Sequence, residues 1–217
     1  IEAVCGFSTL MHYEGRFEQR VRMGADVLLT SARRQGDLQA EAWGYLDQIE
    51  SLLALGDMSR ANPLLDAVLP FLDKDIGWSD QIWGHGLTAI GCLRRGRPAD
   101  AWTHAVKANA VSRVQAPVAV YTFEGYAGAA EALLEILERP DPSVPAAPAL
   151  LAQTTAEAVK ALAGYARVFP IARPRSLLCL GILLAVNGKG KEAVAALRKG
   201  LAIAVKLGMP YEEGKLL

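Results

Sequence analysis

The side chains able to do chemistry are few, and their spacing forms no catalytic pattern. Histidines stand at His12, His85 and His104. A helical metal site needs a second histidine four residues away or cysteines at ligand spacing, and neither accompanies any of the three. Each reads as a surface or turn histidine. Cys5, Cys92 and Cys179 are odd in number and far apart, which points to neither a disulfide framework nor a zinc site. Each lies in an apolar helical segment and reads as a small buried hydrophobe in a reducing compartment.

Asn187-Gly188-Lys189-Gly190-Lys191 imitates a phosphate loop. It lacks the GxxxxGK[ST] pattern and follows no strand, so it reads as an inter-helix turn with a solvated positive tip. No serine stands in a nucleophile-elbow context. Glu124, Glu131, Glu135 and Glu138 fall off an apolar stripe and read as a wet helix face rather than paired acid catalysts. Arg33-Arg34 and Arg94-Arg95 close helices, where cations are favoured in any case. The chain by itself is therefore expected to be no enzyme, with no catalytic, cofactor-binding or metal-binding residues.

Composition bounds the rest. The 217 residues are 52% hydrophobic, enough for one large or two small domains. Lys plus Arg and Asp plus Glu number 23 each, a balance that argues against a nucleic-acid surface. No apolar run approaches the roughly 20 residues of a membrane span. No basic-then-apolar leader precedes Ile1, and a helical pattern runs to Leu217. The expectation is a piece of a longer cytoplasmic protein.

The elements must be helices. In Leu177–Leu207 an apolar segment with Gly181 at its middle, a Gly-containing turn, and a second segment follow one another. Ala193, Leu197, Leu201, Ala204 and Leu207 recur at steps of four and three, one face of a helix. Phe17, Val21, Gly24 and Leu28 repeat the pattern, and a third helix spans about Leu38 to Leu55. The helix carrying Ala61, Leu65, Val68 and Leu72 starts either near Asp57, with a kink, or at Pro63 in its first turn; the later start is expected. Trp78 to Arg95 and a helix opened by Pro98 follow. Pro117 opens a longer one bearing Ala119, Phe123, Tyr126, Ala130, Leu133 and Leu137. Residues 139–149 hold four prolines and predict an exposed extended loop. No period-two alternation is sustained, so the expectation is an all-α domain of ten or eleven helices over residues 1–217.

Gly15, Gly56, Gly96 and Gly188 each separate two helices. Their intervals are 41, 40 and 92 residues, the last being twice 46, with one unit lacking its glycine. Five residues beyond the glycine stand Ala61, Ala101 and Ala193; seven before it stand Ala89 and Gly181, with Ile49 as an exception. The first unit departs, with Arg20 in the alanine's place. Small residues at these two places are the tetratricopeptide pattern, here with longer helices, and HEAT-like pairs rank second. The fold expected is a tetratricopeptide-like right-handed superhelix of about five helix pairs. Its inner positions include Trp43, Leu46, Glu50, Trp83, Ile90, Arg94, Arg175, Leu178 and Ile182. They form either a groove for an apolar helix, a peptide or a second copy, or the core of tightly curled helices.

Three segments carry a resemblance. They are Gln39–Leu46 leading to Leu53-Ala54-Leu55-Gly56-Asp57, Ala119–Glu131, and Leu207-Gly208-Met209-Pro210-Tyr211-Glu212-Glu213. Together the chain resembles the C-terminal helical-repeat region of large bacterial adenylate/guanylate cyclases, in which class III cyclase domains and a P-loop ATPase module precede such a tail. Related tails occur in ATPase-linked LuxR-type transcriptional regulators. The resemblance implies a regulatory or sensory tail that acts through protein contacts, with other domains of its parent or a second copy, or through ligand-dependent rearrangement. The cyclase's metal and nucleotide residues have no counterpart in this chain.

Overall fold

Six glycines in the left-handed region punctuate the chain: Gly15, Gly36, Gly56, Gly96, Gly188 and Gly208, with φ from 65° to 74°. Each closes a helix in a conformation that costs any residue with a Cβ. The computed structural model describes residues 2–72 and 76–217, leaving out the side chains of Glu2, Ala3 and Cys5; the expected burial of Cys5 lies outside the described residues.

Eleven helices and no strand occur among the described residues. They are α1 (Glu2–Tyr13), α2 (17–35), α3 (Leu38–Leu55), α4 (Met58–Leu72), α5 (Trp78–Arg94), α6 (Pro98–Val114), α7 (Phe123–Glu138), α8 (Pro148–Val168), α9 (Arg173–Val186), α10 (Gly190–Leu207) and α11 (Pro210–Leu216). Helix α2 widens into a π-helical stretch at Gly24–Leu29, which turns both Leu28 and Leu29 inward.

Two helix starts differ from expectation. Helix α4 begins at Met58 and carries Pro63 and Pro70 inside it. The Asp57 carboxylate accepts from the Arg60 backbone N–H at 3.1 Å, and this cap fixes the start ahead of Pro63. Helix α7 begins at Phe123, not at Pro117. Side chains hold the preceding segment out of the helix: Tyr165 Oη donates to the carbonyl of Val120 at 2.7 Å, and Thr122 Oγ1 to that of Ala119 at 2.8 Å. The proline-rich stretch is an exposed connection from Arg139 to Ala147, and Pro148 sits in the first turn of α8.

Each helix packs on its successor, and the odd-numbered helices also touch one another: α3 on α5, α5 on α7, α7 on α9 and α9 on α11. Ala61, Ala89, Ala101 and Ala193, which stand at fixed distances from the helix-separating glycines, are all buried. Helices α5 and α7 approach closely enough for backbone to meet backbone. A Cβ at Gly86 would lie 2.0 Å from the Gly125 carbonyl oxygen, and one at Gly128 would lie 2.6 Å from that of Gly86. Gly181 likewise admits Leu197 from α10. Two apolar clusters result, one around Leu46, Ile49, Leu65 and Val68, the other around Phe123, Leu133, Leu162 and Tyr165.

Candidate functional site: an ionic seam and an aromatic cleft

Helices α1, α2, α3, α7, α9 and α11 turn charge, not an open apolar groove, toward one another. Arg20 of α2 is 1% exposed. It donates to Asp47 at 2.5 Å and to Glu50 at 2.6 Å, both on α3, and to Ser8 of α1 at 2.9 Å. Arg175 of α9 is 2% exposed. Its guanidinium grips Glu212 of α11 through two nitrogens, reaches Glu131 of α7 at 2.6 Å and Glu124 at 3.3 Å, and lies over the Tyr211 ring. Lys215 adds a second cation to Glu131 at 2.6 Å.

His12 joins the two clusters. His12 Nδ1 stands 2.9 Å from Arg20 Nη1 and 3.2 Å from Glu50 Oε1. Nε2 hydrogen-bonds Glu124 Oε1 at 3.3 Å, across 112 residues of chain. Phe17 of α2 meets Tyr211 of α11 edge to face at 5.4 Å. First, middle and last helices are thus held together by one seam.

Its electrostatics follow from burial opposed by pairing. Burial pushes the Glu124 carboxyl up, but Arg175 and the His12 hydrogen bond outweigh it and hold the group well below the usual carboxylate range. Glu131 is lowered in the same way, burial being overcome by Arg175 and Lys215. Burial would lower the Arg175 guanidinium, yet Glu124, Glu212 and Glu131 raise it well above its ordinary value.

The positions expected to line a groove therefore fall in four places. Glu50, Ile90, Arg94 and Arg175 border the interior of the seam, which leaves about 20 Å³, room for a single water and not for a peptide. Leu46 is fully buried in core. Leu178 and Ile182 border a separate hollow of about 330 Å³ beside α7. Trp43 and Trp83 line a cleft of about 310 Å³ with Tyr121, Leu28, Val120 and Asp47.

That cleft is walled by three rings. Tyr121 lies 6.3 Å from Trp43 and 5.3 Å from Trp83, centroid to centroid, inclined at 54° and 56°. Their polar atoms are tied back to carboxylates. Trp43 Nε1 donates to Asp80 Oδ1 at 2.9 Å and Tyr121 Oη to the same oxygen at 3.1 Å; Trp83 Nε1 donates to Glu50 Oε2. Gln39 completes the shell of Asp80 at 2.8 Å.

Two readings from sequence are corrected. His12 and His85 are buried rather than on the surface or in turns. His85 of α5 faces His104 of α6, Nδ1 to Nδ1, at 3.0 Å. Glu124 and Glu131 belong to the seam, not to a wet face, while Glu135 and Glu138 are exposed. The glycine spacing could have found both glutamates. A step of 41 residues from Trp83 and Ile90 lands on Glu124 and Glu131. Cys92 and Cys179 are buried, and burial raises both thiols. Among the described residues no three His, Cys, Asp or Glu side chains are grouped to hold a metal, and no helix is long and apolar enough to cross a membrane.

Comparison with protein-family models, with curated proteins and with solved structures returns no match.

Proposed function

We propose that this chain is a non-catalytic regulatory and interaction domain, a tetratricopeptide-like right-handed superhelix of about five helix pairs, and the cytoplasmic tail of a multidomain adenylate/guanylate cyclase. The observation that carries the regulatory reading is the seam. Arg20, His12, Glu124 and Arg175 connect helices from both ends of the array through buried charge. Such a network has discrete made and broken arrangements, because a half-made one leaves charge buried and unpaired. A partner domain, a peptide or a second copy that favours one arrangement would be felt along the whole array. The glycine intervals and the buried repeat alanines support the superhelix.

A second reading, the effector-sensing tail of an ATPase-linked LuxR-type regulator, is favoured by the aromatic cleft, which is of small-molecule size. The open reading frame around this chain separates the two. A class III cyclase domain and a P-loop module upstream support the first; a DNA-binding domain downstream supports the second. In the cyclase case, cyclic-nucleotide formation by the whole protein is compared with that of a version lacking residues 1–217. Equal rates and equal responses in the two would sink the regulatory role.

A further inference from the structure

We propose that the cleft between α1, α3 and α5 is a binding site for a small organic cation, an alkylated ammonium. The cleft stands whichever parent protein carries the domain, so this ligand class does not depend on the cyclase assignment.

Shape comes first. Trp43, Trp83 and Tyr121 stand at steep angles to one another around a space of about 310 Å³. Mutually inclined rings are how proteins surround a methylated ammonium, whose charge is spread over carbons and needs no hydrogen bond. The rings are also fixed in place. Each has its only polar atom bonded to a buried carboxylate, Asp80 for Trp43 and Tyr121, Glu50 for Trp83. What remains for a ligand is ring carbon, and the carboxylates add negative potential behind it.

Charge comes second. Asp47 lines the cleft, and Asp80 and Glu50 hold its walls. Against these three carboxylates stand, among the described residues, the Arg20 guanidinium, bonded to Asp47 and Glu50, and His12, whose Nδ1 lies 3.2 Å from Glu50. Asp80 is 1% exposed and is held by Trp43, Tyr121 and Gln39, all neutral donors; among the described residues no ion pair reaches it. An apolar cleft backed by a buried carboxylate with neutral donors alone, Asp80, favours a cation over an anion or a neutral molecule of the same shape.

Gly6 of α1 offers a clean perturbation. It borders the cleft, and a Cβ there would meet nothing within 4 Å. A leucine at this helical position fills the cleft without removing any hydrogen bond.

The test titrates the 217-residue chain with choline and tetramethylammonium, and with 3,3-dimethyl-1-butanol, the uncharged isostere of choline. Ionic strength is held constant with sodium chloride, and binding is read by tryptophan fluorescence and calorimetry. Saturable binding of the cations is expected, at least tenfold tighter than that of the isostere. Gly6→Leu abolishes it, and Asp80→Asn weakens it at least fivefold, with helical circular dichroism retained. Equal binding of the isostere overturns the assignment, as does failure of both cations to bind or full binding by Gly6→Leu. Asp80→Asn and the isostere decide the matter should Gly6→Leu fail to fold. Failure here leaves the regulatory reading intact, since that is decided by the cyclase rate.

Discussion

Replacing Arg175 by methionine isolates what the ionic seam contributes. The guanidinium is 2% exposed and bonded to Glu212, Glu131 and Glu124. Methionine fills much of its volume but strands three carboxylates, with Lys215 on Glu131 and His12 on Glu124 as the remaining partners. Removing one member of a buried pair costs about 3–5 kcal/mol, because the charge left behind is neither solvated nor paired. For a chain of this length 1 kcal/mol moves Tm by about 2–4 °C, so the expected drop is about 6–20 °C at pH 7. The cost has a pH signature. In the native protein Glu124 and Glu131 have lowered values, so they contribute stability above the unfolded carboxyl pKa of about 4.3 that is lost as pH falls through their folded values. Between pH 7 and 5 that contribution is constant. In Arg175→Met the stranded carboxylates are raised and take up protons in this window, which relieves the strain. The difference between the two proteins, measured by urea denaturation, should therefore shrink from pH 7 to pH 5. Adding Glu212→Leu to Arg175→Met should recover at least about 1 kcal/mol, since it removes the carboxylate the guanidinium gripped with two nitrogens. A cost below about 1 kcal/mol at pH 7, or one that is the same at pH 5, would refute this account of the seam.

Other outcomes follow from the same contacts. Gly86→Ala should destabilise by about 1–3 kcal/mol or more in urea denaturation, because its Cβ would run into the Gly125 backbone, which cannot step aside. Gly164→Ala, where a Cβ meets nothing within 4 Å near the C-terminal end of α8, should instead stabilise by about 0.5–1 kcal/mol. Burial raises the phenols of Tyr13 and Tyr165 and pushes that of Tyr126 up to about 12. Their stability is complete below the unfolded value of about 10 and is lost as pH rises through the folded values, so absorbance at 295 nm should show them ionising only with unfolding. In a Cys5→Ser variant the remaining thiols, Cys92 and Cys179, should resist a disulfide reagent at pH 8 and react fully in denaturant.

Helix existence and most helix ends were legible because they rest on local chemistry. Glycine at a left-handed C-cap and proline in a first turn act within four residues, and α3 runs from Leu38 to Leu55 as the pattern implied. The starts of α4 and α7 were not legible in the same way. At α4 two local signals competed, and the Asp57 cap prevailed over Pro63. At α7 the deciding hydrogen bonds come from Tyr165, more than forty residues downstream. The charges of the seam were harder still, because pairing between Arg175 and Glu131 or between His12 and Glu124 leaves no trace in a window of one helix. A carboxylate on a helix reads as wet until its partner is known.

The spacing of the glycines nevertheless held the necessary signal, in its exceptions. A small residue recurs at a fixed distance from those glycines because two helices must approach there, so an exception has to be accommodated by the structure around it. Arg20 stands as far beyond Gly15 as Ala61, Ala101 and Ala193 stand beyond their glycines, and it is buried there, which obliges the neighbouring helix to supply Asp47 and Glu50. Arg175 stands as far before Gly188 as Trp43 and Trp83 stand before Gly56 and Gly96, and α7 and α11 answer with Glu131 and Glu212. Positions at that spacing thus carry rings where the cleft opens and a charge where the last helix meets α7 and α9. That division makes the two sites separable by mutation: Gly6→Leu should block the cleft with the seam intact, and Arg175→Met should weaken the seam with all three cleft rings still tied to their carboxylates.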